Sequence, residues 1–160
     1  MAELLFTSSL DPIEQGQTFP KSLPRHVTVW QYFDLPDSHM NEFIADAGGA
    51  IEAFSPLEIE GVNDAKFGPN NDVDVRQVKA LGKNGLIALH TSLGLVINRN
   101  FGYIRNPEWA YEGYNPHVTY INGRALEEGE HATLQTVELI EKNAETNAKF
   151  VRKVWKLEDV

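Results

Sequence analysis

The stretch RHVTVWQYF, residues 25–33, decides how this chain is read, because its core returns as NPHVTY at residues 115–120. Both copies are rich in β-branched and aromatic residues, which predicts a strand at each. In a strand, side chains at i and i+2 share a face, so His26 and Thr28 point one way, as do His117 and Thr119. If the two strands lie side by side, two imidazoles and two hydroxyls converge on one cleft. That set suits phosphodiester cleavage. A neutral His takes a proton from the attacking oxygen, a protonated His gives one to the departing oxygen, and hydroxyls donate to the non-bridging oxygens. Histidine fits both roles because its ordinary pKa of about 6.5 leaves both charge states accessible near neutrality. None of these steps calls on a metal.

His-x-Ser/Thr alone is too loose to choose a pair, since His26, His90, His117 and His131 all carry it. Context chooses. His90 lies in the apolar run GLIALHTSLGLVIN (85–98), long enough to prefer helix, where His90 and Ser92 face different ways; packing is its expected role. His131 follows a Gly-Glu loop and reads as solvated, and His39, in the first turn of a helix over 36–54, reads as surface. His26 and His117 each follow a Pro-bearing turn and precede apolar residues. Arg25 alternates to the face opposite His26 and is expected at the surface.

Outward from the two motifs, strands are expected at 4–7, 26–33, 57–62, 73–80, 134–140 and 150–157, beside the second motif strand, with helices over 36–54 and 85–98. Strands are not regularly alternated with helices, which implies an α+β protein with a largely antiparallel sheet. At 160 residues and 42% hydrophobic content the chain fits one domain, or two small lobes sharing a core. A net charge of −9 argues against wrapping a long duplex or other polyanion. A small anionic ligand in a local cleft remains compatible with it. Without cysteine there is neither a disulfide framework nor a thiolate nucleophile. Leu4–Phe6 is too short for a signal peptide and no stretch is long enough to span a membrane, so a cytoplasmic monomer is expected.

His26-Val27-Thr28-Val29 and His117-Val118-Thr119-Tyr120 resemble the paired His-hydrophobic-Ser/Thr-hydrophobic motifs of the 2H phosphoesterase superfamily, the LigT-like or 2′,5′ RNA ligase-like proteins. The likeness in length, motif separation and element order runs over nearly the whole chain. It implies a single bilobal domain over residues 1–160, with two antiparallel sheets and flanking helices related by a pseudo-twofold axis. It also implies catalysis by His26, Thr28, His117 and Thr119 without metal or cofactor. The substrates it implies are 2′,3′- or 1″,2″-cyclic phosphates, or short or cyclic oligonucleotides with 2′,5′ or 3′,5′ linkages. Some viral relatives degrade nucleotide immune messengers, which is the alternative role.

Before the second motif, RNFGYIRNPEWAYEGYNPH (99–117) mixes aromatic rings with Arg99 and Arg105 and matches no one subfamily. Rings and arginines beside a phosphate site hold nucleotides by stacking and charge pairing. Trp109, Tyr111 and Arg105 are the expected substrate-binding residues, although loop packing would use the same rings. Other hydrolase classes lack their signatures. There is no His-Glu-x-x-His, no Gly-x-Ser-x-Gly, and LGKNG (81–85) lacks the spacing of a phosphate-binding loop. A non-catalytic nucleotide-binding module stays open, since the same four residues can bind a phosphate without cleaving it.

Overall fold

The computed structural model describes residues 1–82 and 85–159; Lys83 and Asn84, inside LGKNG, lie outside the described residues. The strands are β1 (Ala2–Ser9), β2 (Thr18–Phe19), β3 (His26–Leu35), β4 (Leu57–Phe67), β5 (Val73–Ala80), β6 (Tyr103–Ile104), β7 (His117–Thr119), β8 (His131–Leu134), β9 (Thr136–Lys142) and β10 (Lys149–Lys156). The helices are α1 (Met40–Ile51) and α2 (Gly85–Arg99). The α+β class read from the sequence is the class observed.

Strand pairing runs β2-β10-β9-β1-β3-β7-β5-β4-β8, with β6 added beside β3. All pairs are antiparallel. The path has two halves. One runs from β2 to β3 and the other from β7 to β8, and where they meet, β3 and β7 share the single residue pair Val27–Val118. The chain passes between the halves at Gln135. β8 before it pairs with β4, whereas β9 after it pairs with β1 and β10. The expected strand over 134–140 is therefore two strands. Its β-prone residues are continuous, but the β4 ladder ends at Leu134, while the Gln135 carbonyl accepts the Leu157 amide and so already continues the β9–β10 register.

Strand alternation sorts the apolar residues to two faces. Leu4, Phe6, Val27, Val29 and Phe33 join Phe43 of α1 and Leu89 and Leu93 of α2 in the main core. Phe6 and Phe33 stack at 5.6 Å and both meet Phe43. Leu5, Ile140 and Val151 join Ile13, before β2, and Leu23, after it, in a second, smaller cluster. Gly48 explains why α1 tolerates glycine, since a Cβ there would stand 3.0 Å from the Trp155 indole nitrogen of β10. The helix is shorter than expected, because a single 3-10 turn at Asp37–His39 follows Pro36 before α-helical bonding begins. β9 also buries Glu138. Hydroxyls of Thr7, Ser9 and Thr136 donate to its carboxyl, whose pKa burial pushes up. Among the described residues no helix is long and apolar enough to cross a membrane.

Candidate active site

The Val27–Val118 pair fixes the geometry of both motifs. In an antiparallel pair the residue numbers sum to a constant, so His26 stands beside Thr119 and Thr28 beside His117. Both valines are fully buried, and that turns all four polar side chains to the opposite face, where they are half-exposed. All four line one groove of about 430 Å³. Thr28 and His117 also line an adjoining hollow of about 500 Å³. No Asp or Glu appears in the lining of either, in a chain with 23 acidic residues. The net negative charge thus stays outside the groove.

Each imidazole is held in the same way. His26 Nδ1 donates to the Pro24 carbonyl at 2.8 Å and His117 Nδ1 to the Asn115 carbonyl at 2.9 Å. A carbonyl only accepts, so Nδ1 keeps its proton in either charge state and Nε2 is the nitrogen that exchanges one. The proline-bearing turns before the motifs supply these carbonyls. Burial is the largest influence on both rings and holds each pKa below the ordinary imidazole value. The carbonyl bonds oppose it, and at His26 the neighbouring His117 and Lys149 add to it.

The 99–117 segment is where the structure departs from expectation. Trp109 lines the adjoining hollow with Phe67, Tyr114 and Asn71, and the Phe67 ring meets His117 edge-on at 4.6 Å. Tyr111 does not line either space. Its ring packs edge-on against Trp30 at 5.5 Å and its hydroxyl lies over Gly94 of α2, where a Cβ would come within 2.6 Å. Arg105 is also elsewhere. It pairs with Asp34 at 2.7 Å and Glu3 at 2.8 Å, and the Asp34 bond leads in raising its pKa. Its charge is consumed by carboxylates on β1 and β3. Arg25 likewise is no surface residue, for it pairs with Asp11 at 2.9 Å and donates to the Ala125 carbonyl at 2.6 Å.

His90 organises the segment from the core. Its ring lies between Trp30 and Tyr114, each stacked at 4.1 Å. Nδ1 donates to the Val29 carbonyl at 2.7 Å, and Nε2 accepts the Tyr111 amide at 2.9 Å. Both partners together require the neutral ring, in accord with a pKa that burial lowers. Tyr114 then donates its hydroxyl to the Thr28 carbonyl at 2.9 Å, tying the aromatic segment to the first motif. His131 is exposed and meets Glu60 at 2.8 Å.

Sequence reasoning missed Phe67, Lys66, Gln31, Tyr32 and Lys149 in the lining. Gln31 and Tyr32 sit on the first motif's own strand and were within reach of a register argument. Lys149 carries no local signal. Among the described residues no three or more His, Asp or Glu side chains gather as metal ligands.

No protein-family profile and no curated relative matches the sequence. Solved structures do. Escherichia coli LigT, crystallised with 3′-AMP, superposes with a TM-score of 0.65 at 16% identity, covering 99% of each chain. A protein from Thermus thermophilus gives 0.65 at 14% identity over 97% of each chain. A structure described as a phosphoesterase gives 0.62 at 15% identity, over 99% of this chain and all of the other. LigT has also been crystallised with ATP, NADP+ and phosphate. Over nearly its whole length this chain has the LigT-like fold.

Proposed function

We propose that this protein is a 2H-type phosphoesterase that hydrolyses a phosphodiester in a small nucleotide or short oligonucleotide. The interlocked register carries the reading. It sets each imidazole beside the other motif's threonine, so one phosphate in the groove meets both histidines and both hydroxyls. Nε2 of the neutral His accepts the proton of the attacking oxygen. Nε2–H of the protonated His delivers a proton to the departing oxygen as the P–O bond breaks. Thr28 and Thr119 donate to the non-bridging oxygens as their charge grows. The Nδ1–H bonds to Pro24 and Asn115 hold the rings in line and support whichever is the imidazolium. Acid, base and anion donors are all supplied by side chains, so the mechanism is written without a metal. LigT structures with 3′-AMP and phosphate support a ligand of nucleotide size.

The test is turnover by the purified protein of 2′,3′-cyclic mononucleotides, 2′,5′- and 3′,5′-linked oligoadenylates, and cyclic di- and trinucleotides. Cleavage is expected to survive excess chelator and to fall about 10²- to 10⁴-fold in either His26→Ala or His117→Ala, the usual loss for a positioned proton-transfer group. Tight binding of these nucleotides without turnover would instead establish a binding module. Recovery of a chelated, inactive protein by a divalent ion would overturn the metal-free mechanism.

A further inference from the structure

Lys149 stands at one end of the groove, on β10, in the same lining as His26, His117 and Thr119. Two lysines line the groove and its adjoining hollow, and their surroundings differ. Lys66 is bound to Asp74 at 2.6 Å. Lys149 has no carboxylate within ion-pair distance among the described residues; its one hydrogen-bond partner there is the Lys21 carbonyl at 2.9 Å. An ammonium has three donors, so two are left for a ligand. Lys142, its register partner on β9, stands 5.0 Å over the ring of Tyr32, which also lines the groove, but its charge is paired with Glu3 at 3.4 Å. In a chain of net charge −9, Lys149 thus stands against a lining without a carboxylate.

Lys149 is beside the catalytic quartet rather than within it. β10 lies three strands out from β3. At ordinary strand spacing that is roughly 14 Å of backbone separation, of which the side chain and the curl of the sheet recover a part. At the other side of the quartet the adjoining hollow offers Phe67, Trp109 and Tyr114. The site therefore reads, in order, as flat aromatic surfaces, two histidines with two threonines, and an ammonium lacking an acidic partner.

Resting on the phosphoesterase reading above, we infer that Lys149 binds a second phosphate of the substrate, on the far side of the scissile one from the base held by the aromatic rings. The substrate class follows. A 2′,3′-cyclic mononucleotide has both ester oxygens on one sugar and fills one end only. A ring of two or more nucleotides, or a chain with a phosphate besides the scissile one, extends to both ends of the groove and carries the further phosphate that Lys149 takes.

The experiment is a cycle between protein and substrate. The value of kcat/KM is measured for 2′,5′- and 3′,5′-linked diadenylates with and without a terminal phosphate at either end, in the wild type, Lys149→Gln and Lys149→Arg. The wild type is expected to prefer one phosphorylated diadenylate over its unphosphorylated parent by about tenfold, the size of one hydrogen bond to a charged group. Lys149→Gln should reduce that ratio to near one and Lys149→Arg should retain it. A general loss of structure would lower all substrates together and leave the ratio intact, so the ratio reports the phosphate contact itself. Cleavage of the diadenylates with the same ratio in wild type and Lys149→Gln would overturn the subsite and leave the phosphoesterase reading standing. Cleavage of no phosphodiester by the folded wild type would overturn both.

Discussion

Replacing His90 with Phe tests the account of how the aromatic segment is held. The ring would remain between Trp30 and Tyr114, each now stacked on His90 at 4.1 Å, so the change removes hydrogen bonds more than packing. Two backbone groups lose their partners, the buried Val29 carbonyl and the part-buried Tyr111 amide. A buried orphaned group costs about 1–3 kcal/mol, and the part-buried amide falls at the low end of that range, so the pair costs about 2–4. Taking about 3 kcal/mol, and about 2–4 °C per kcal/mol for a domain of this size, the melting temperature should fall by about 6–12 °C. Differential scanning calorimetry at neutral pH measures it. The pH dependence gives a second check. The His90 pKa is lowered in the folded state, so the unfolded chain binds the proton first as pH falls below about 6.5, and the stability due to neutral His90 is lost through that window. The gap between wild type and variant should therefore narrow on acidification. A fall of less than about 2 °C at neutral pH, or a gap that widens in acid, would refute the reasoning.

Thr28→Val and Thr119→Val keep the strand shape and remove one anion donor each, so turnover should drop by roughly 10- to 10³-fold in steady-state assays with little change in melting temperature. The pH profile of kcat/KM should be bell-shaped, with its alkaline limb below the ordinary imidazole value of about 6.5, because burial lowers both His26 and His117. The limbs belong to the coupled pair rather than to either ring, and a rate still climbing above pH 9 would exclude the two-histidine scheme. Trp109→Ala should raise KM for nucleotides with little effect on kcat, read from saturation curves, whereas Tyr111→Phe, outside the groove, should leave KM unchanged.

The two motif strands were legible because period-two alternation and identical cores are local properties, visible at His26–Val29 and again at His117–Tyr120. Helix α2 was legible for the same reason, its apolar run being long. Tertiary pairing decides the rest. TLQTVELI is β-prone throughout, and nothing within it tells that Gln135 sends its two sides to different halves of the sheet. Trp109, Tyr111 and Arg105 looked alike as a mixture of rings and charge. What separated them was Gly94 and α2 beneath Tyr111, and Asp34 and Glu3 around Arg105, all distant in sequence. Phe67 reaches the adjoining hollow from β4, and Lys149 the groove from β10, by folding alone.

The single Val27–Val118 contact has a consequence for regiochemistry. Rotation by half a turn about that contact exchanges His26 with His117 and Thr28 with Thr119, so in the proposed mechanism these four groups are nearly blind to the direction in which a phosphodiester lies. Which ester oxygen departs must then be dictated by the unlike flanks, Phe67 and Trp109 to one side and Lys149 to the other. On that mechanism, exchanging residues at the periphery is expected to invert product polarity while His26, Thr28, His117 and Thr119 stay untouched.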